Sequence, residues 1–412
     1  MKYILLILTI IFLVACGEVP LAQPEGVATL AVQEPVSPIK AATATAEITK
    51  PEISSIEDIQ VNTIADIEKQ FVEMSTTGRL PVYDNKMLTP DDLKVRFEKW
   101  SPDGQQMLLR VNTGKVLDGK KANDPPGVLR SIIPIFDLWL ADANGKPISL
   151  LAESASWSAW SPDGIRIAYI YEFIEDGFII SELWVIQADE KNSRKLSSGA
   201  HNVAWLDNHT IVFIDSNTEQ LQLININDNK IRPFIVDGLA PEYSQVILYD
   251  LSPDRQRLAF DSRADRKVRI ADLTNGQAKL VTEIEVPDLS RLSWSPDSQR
   301  LAFSSLCSKP LQNPVCQRIN IVQPDGMAIT SINHRPDTNV TWSPNSRWVA
   351  FQESNRVYVA DAQTGQFKVL YTFPEGQQNA TESVDWSSVG DKIGLNQDSA
   401  GKATILSLQT TR

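Results

Sequence analysis

The sequence predicts an all-β fold: a seven-bladed β-propeller of four-stranded antiparallel blades, with a short helical segment ahead of it. Two observations carry that prediction. A five-residue unit recurs as Trp100-Ser-Pro-Asp-Gly104, Trp160-Ser-Pro-Asp-Gly164, Leu251-Ser-Pro-Asp-Arg255, Trp294-Ser-Pro-Asp-Ser298 and Trp342-Ser-Pro-Asn-Ser346, with degenerate copies at Trp205-Leu-Asp-Asn208 and Trp386-Ser-Ser-Val389. Successive anchors are spaced by roughly 45 residues, the first step stretched by an insertion, which is the length of one propeller blade. Six blades is the alternative count.

The chain begins with Met1-Lys2-Tyr3 and an apolar run from Ile4 to Leu13, then Val14-Ala15-Cys16. A positive start, a short apolar core and a small-residue cut site make residues 1–15 a secretory signal peptide. The run falls short of the roughly 20 apolar residues that span a bilayer. Leu13-Val14-Ala15-Cys16 resembles a bacterial lipoprotein lipobox. That resemblance implies lipid attachment at Cys16 and an extracytoplasmic domain anchored to the cell membrane or envelope. Two or more acyl chains would hold it stably.

Residues 16–54 are rich in Ala, Thr, Pro, Val and Glu, and five prolines deny them a regular helix or central strand, so they read as a disordered tether. In residues 55–92, Ser55-Ile-Glu-Asp58 offers a capping pattern. Ile56, Ile64, Ile67, Phe71 and Met74 recur near helical spacing, which predicts one or two short helices up to Ser75. Residues 93–412 form the propeller.

Each part of the repeat has a physical job. Ser-Pro-Asp-Gly suits a type I turn, with Pro fixing φ at the second position and Gly free to turn left-handed. Arg255 and Ser298 in the Gly place imply a changed turn or a cost of about 1 kcal/mol. The following strand reads Ile167-Ala-Tyr169, Leu258-Ala-Phe260, Leu301-Ala-Phe303 and Val349-Ala-Phe351, with Gly394 in the small place of the last copy. A small residue there fits a strand squeezed between blades. A third strand, such as Val357-Tyr-Val-Ala-Asp361, leads through Asn144-Gly145, Asn275-Gly276, Asp325-Gly326 or Thr364-Gly365 into a fourth. The seventh repeat stops after its third strand, Thr404–Leu408, so a strand from elsewhere must cover its edge. Arg79-Leu-Pro-Val-Tyr83 is the candidate.

These repeats resemble the TolB-type, WD-like propeller family over about residues 93–409. TolB itself resembles a six-bladed ring behind an α/β domain, whereas seven units are counted here and residues 55–92 are too few for such a domain. A role in the Tol machinery is therefore not implied.

With a formal net charge of −12, the chain repels phosphate backbones, and nucleic acid is not an expected partner. Cys307 and Cys316 read as a disulfide across one loop in an oxidising compartment, with two free thiols the alternative; their spacing does not suit zinc. Gly114–Lys121 nearly spells a phosphate loop but has Lys121 where Ser or Thr should hold magnesium. There is no Gly-x-Ser-x-Gly elbow. His201, His209 and His334 fall in different repeats and read as structural or solvated. The recurring carboxylates sit in turns that backbone capping explains. Six of the ten Trp share one repeat position and read as inter-blade core; Trp157 and Trp348 read as buried in strands. No catalytic residue, cofactor or metal is assigned.

Function is expected instead in unequal loops. Connections between second and third strands vary, notably Thr113–Pro134 and Glu172–Ile180, and emerge on one face. Lys120, Phe178 and Ile179 are the candidate partner-binding residues. The expectation is a non-catalytic protein-interaction scaffold held to the membrane by its lipid and contacting another envelope protein. The alternatives are a glycan- or peptide-processing enzyme, or a solute-binding sensor, using the central channel.

Overall fold

The structure is a computed structural model that describes residues 56, 59–67, 95–118, 132–176, 178–189, 192–262, 264–265, 267–273, 277–286, 289–305, 318–334, 336, 339–373, 384–396 and 403–410. The expectations placed on Cys16, Lys120, Cys307, Cys316 and the strand at 79–83 fall outside them. Among the described residues no helix is long and apolar enough to cross a membrane.

Among the described residues seven sheets follow one another along the chain, each built on four antiparallel strands, which in the first six stand in sequence order. Blade I runs Val95–Trp100, Gln106–Asp118, Ile132–Asp142 and Pro147–Ala152; blade II runs Ala155–Trp160, Arg166–Glu175, Phe178–Gln187 and Arg194–Ser198. Blades III to VI begin at Ala200, Val246, Leu289 and Thr341. Blade IV carries an extra short strand, Val236–Asp237, parallel to Ala278–Ile284. Among the described residues the apolar core divides into seven clusters, one at each seam between neighbouring blades, including the seam between the seventh and the first. That last cluster is what makes the stack a closed ring.

Ring closure corrects the sequence reading in two places: Ile59–Asp66 is a strand where a helix was expected, and it takes the ring-closing role that was expected of residues 79–83. The fourth strand of blade VII is Ile59–Asp66, paired antiparallel with Ala403–Thr410 from Ile59 opposite Thr410 to Asp66 opposite Thr404. The register shifts between Val61 and Thr63, so Ile59 packs in the blade VI–VII cluster and Ile67 in the VII–I cluster. A β-bulge inserts one extra residue and reverses the alternation of faces, which in sequence imitates helical spacing. Ile67 seats against Gly145, where an added Cβ would lie 2.8 Å from its side chain.

The recurring turn works through its serine and aspartate. In blade I the Ser101 hydroxyl donates to Asp103 Oδ1 at 2.6 Å and accepts the Gln106 amide at 3.0 Å, while Gly104 N–H donates to Ser101 O. The same bonds recur from Ser161, Ser252 and Ser295. Arg255, Ser298 and Ser346 keep the left-handed conformation of the glycines they replace, with φ near 60°. For the serines the conformational cost of about 1 kcal/mol meets a compensating bond: Ser298 Oγ accepts the Asp254 amide at 3.0 Å and Ser346 Oγ the Asp297 amide at 2.9 Å, each across a seam. Gly104 could not be so replaced, because a Cβ would meet Ser388 and Val389 at 2.8 Å.

Candidate functional site at the two mouths of the channel

Innermost strands of the seven blades line the central channel, and the residue just before each anchor Trp controls its turn-side end. At four seams its carbonyl accepts the indole N–H of the next blade: Asp385 O from Trp100, Ala159 O from Trp205, Asp250 O from Trp294, and Ser293 O from Trp342, all at 3.0–3.2 Å. Its side chain often takes that Trp's backbone amide as well, as Asp250 does for Trp294 at 2.9 Å, Asp385 for Trp100 at 3.3 Å and Thr341 for Trp386 at 2.9 Å. The Trp386 indole donates within its own blade, to Gly390 O, and the Trp160 indole is buried without a hydrogen bond among the described residues. Leu251 replaces Trp in blade IV, and Tyr249 supplies the missing cross-seam donor, its hydroxyl lying 2.7 Å from Asn202 O. The six anchor indoles are buried, as expected.

A cavity of about 680 Å³ opens on this turn side and is lined by Lys99, Asp250, Arg255 and Asp385 with the Trp-Ser-Pro edges. Lys99 Nζ lies 3.2 Å from Asp385 Oδ1, and that carboxylate raises the lysine's pKa. Burial pushes the Asp250 carboxyl up to about 6, against the opposing pull of the Trp294 amide and Lys99. Lys99, Asp250 and Asp385 at this mouth are therefore engaged by the fold itself.

The opposite mouth is built differently. In blades I to V the innermost strand slips register near its entry, between Phe97 and Lys99, Ala155 and Ser158, His201 and Val203, Val246 and Tyr249, and Leu289 and Arg291. Bulges twist a strand and re-aim its side chains. Glu98, Trp157, Asn202, Leu248 and Arg291, at or beside these slips, all line a second cavity of about 820 Å³. Trp157 is 56% exposed, correcting the expectation of burial; Trp348, at 1%, meets it. The Arg96 and Arg110 guanidiniums stand 4.7 and 5.3 Å from the Phe136 ring centroid, and Arg110 Nε lies 2.7 Å from Glu98 Oε2. Glu172, on the wall from blade II, has its pKa raised by burial, with Ser156 and Arg110 pulling it back. Nothing in the sequence marked these bulges.

Above this mouth rise two β-ribbons where loops were expected. In blade I pairing continues from Val116 opposite Pro134 to Asp118 opposite Ile132; in blade II from Glu172 opposite Ser181 to Glu175 opposite Phe178. Second strands of 13 and 10 residues compare with 6 in blades III, IV and VI. The extra residues lift the tips by roughly 13–23 Å. Phe178 is 58% exposed and Val116 52%, while Tyr171, Phe173, Ile174, Ile179 and Ile180 are half-buried along the blade II ribbon. Tyr171 stacks on Phe173 at 5.6 Å and meets Trp184 edge-on. Residues 114–118 of the near-phosphate-loop are strand.

His201, His209 and His334 stay apart. His334 pairs with Glu353 and packs, tilted or edge-on, among the rings of Phe351, Tyr358 and Phe367. Among the described residues no group of three His, Cys, Asp or Glu side chains gathers to hold a metal.

No protein-family model matches the chain, and no curated protein matches it in sequence. Three similar solved structures share the fold. The β-propeller domain of Cps50 (Swd1) from Myceliophthora thermophila aligns with TM-score 0.52 at 10% identity, over 75% of this chain and 95% of that one. A chain of a mitotic checkpoint complex gives 0.53 at 12%, over 77% and 90%. A chain of Kuenenia stuttgartiensis hydrazine synthase gives 0.55 at 15%, over 81% and 100%. At such identities the likeness is one of fold: a WD40-like, seven-bladed propeller.

Proposed function

We propose that this chain is an extracytoplasmic lipoprotein, anchored through Cys16, whose propeller is a non-catalytic scaffold for an envelope protein partner. The single observation that carries the interaction reading is the blade II ribbon. It raises a run of aromatic and aliphatic side chains, with Phe178 at its tip, above a rigid ring. Apolar side chains held out on a rigid element are what a partner buries. The TolB-type resemblance of the repeats supports an envelope setting, and the lipobox supports the anchor.

Two experiments test it. Cells fed an alkyne-tagged palmitate should label the native chain and not Cys16→Ser; equal labelling would remove the anchor. Affinity capture after crosslinking in intact cells should recover a partner with the native chain and lose most of it with Phe178→Asp/Ile179→Asp. Unchanged recovery from that folded variant would reject the ribbon as the contact.

A further inference from the structure

We propose that the ribbon-side mouth of the channel recognises carboxylate groups, borne by an acidic peptide segment or by a free organic acid. The inference deepens the interaction reading, because it names the chemistry by which the decorated face would select what it binds.

Charge is the first argument. The chain as a whole carries −12, yet this cavity collects Arg96, Arg110 and Arg291 against the carboxylates Glu98 and Glu172. A locally cationic hollow in an acidic protein concentrates field lines and draws anions out of solution. Guanidinium groups match a carboxylate with paired, parallel N–H donors.

Construction is the second. The three arginines come from blades I and V, and Trp157 from blade II, so the ring converges them from separate repeats. Arg96 and Arg110 are held by the Phe136 ring between them, which limits the freedom they would lose on binding. Trp157 departs from the burial of the other unassigned Trp and leaves a large apolar face exposed inside the cavity. A volume near 820 Å³ falls in the range of ligand pockets, which combine apolar walls with a few placed polar groups.

Carboxylate suits the site better than phosphate. Glu98 and Glu172 stand in the same wall, and a doubly charged phosphate would meet both at close range. Each carboxylate group brings a single charge, with its neighbours on other carbons of the peptide or polyacid, and so meets less repulsion from the two glutamates.

The test is calorimetric titration of the purified chain with three probes: a hexaglutamate peptide, citrate and, as control, a hexalysine peptide. Binding of hexaglutamate or citrate, with none of hexalysine, is expected. Hexaglutamate alone identifies a peptide source, and citrate alone a free acid. Arg291→Gln and Trp157→Ala are both exposed positions and should keep the native melting temperature. Each should weaken binding by roughly tenfold, the usual loss when a charge-assisted bond or an aromatic contact is removed. No binding of either acidic probe, or binding that both variants leave unchanged, overturns the proposal. Failure here with ribbon-dependent partner capture intact would leave the scaffold reading standing; acid binding without any captured partner would do the reverse.

Discussion

The two mouths of one channel use charge in opposite ways. On the turn side, Asp385 takes the Trp100 amide through its side chain and the Trp100 indole through its carbonyl, and Asp250 does the same for Trp294. On the ribbon side, Arg291 and Trp157 come from bulged strands and stand exposed in the cavity. The same strands build both ends, so position along the strand decides whether a polar group is spent on seams or presented to solvent. A charged residue in a propeller channel is therefore not by itself a functional signal.

Substitutions should separate the two ends, and the largest effect belongs to the seam that closes the ring. Phe97 lies over Gly394, where an added Cβ would come within 2.5–2.7 Å of its ring, and Asn396 brackets the Phe97 backbone with bonds of 2.7 and 3.2 Å. Gly394→Val should cost about 3 kcal/mol or more through overpacking, seen as a sharp fall in the urea midpoint. A stability close to native would mean that the seam is loose.

Asp385→Ala should cost about 2–3 kcal/mol, because it orphans a buried backbone amide. The Lys99 pair adds little to that figure, since the lysine side chain is 55% exposed. An unchanged melt would show that water replaces the aspartate.

Asp250 adds a dependence on pH. Folding raises its pKa from the ordinary 3.8 to about 6, so the protonated carboxyl favours the fold. That contribution is complete below pH about 4 and is lost as pH climbs through 6. Asp250→Asn fixes a neutral side chain, and its stability relative to the native chain should rise by about 1–3 kcal/mol between pH 4 and 7, a range reduced because the residue is only half-buried. A flat difference across that interval would place the carboxylate in water.

The smallest effect is expected on the ribbon side. Trp157→Ala should shift stability by no more than about 0.5 kcal/mol, as for other surface changes. A loss comparable to that of Asp385→Ala would make the indole a structural anchor and erase the contrast between the mouths.

The ring was legible because each blade repeats its own instructions. Trp before Ser-Pro-Asp-Gly, and Ala168, Ala259, Ala302 and Ala350 at the squeezed position, all fully buried, are local signals copied many times. What occurs once was harder to read. The closing strand at Ile59–Asp66 pairs across the whole chain and hides its alternation behind a bulge. Trp157 was read as buried because it lies in a strand, and the slip between Ala155 and Ser158 beside it leaves no mark in the sequence. The ribbons were read as loops because residues such as Val116, Phe173 and Ile179 continue a strand with neither face fully covered, and half-covered pairing leaves no clean two-residue period.

Placing a photocrosslinking amino acid at single sites in living cells addresses the assignment of faces most directly. Ile165, beside a Ser-Pro-Asp-Gly turn and 48% exposed, marks one side, and Phe178 at the ribbon tip marks the other. Adducts with a protein partner from position 178 and none from position 165 are the predicted result; adducts confined to position 165 would contradict it.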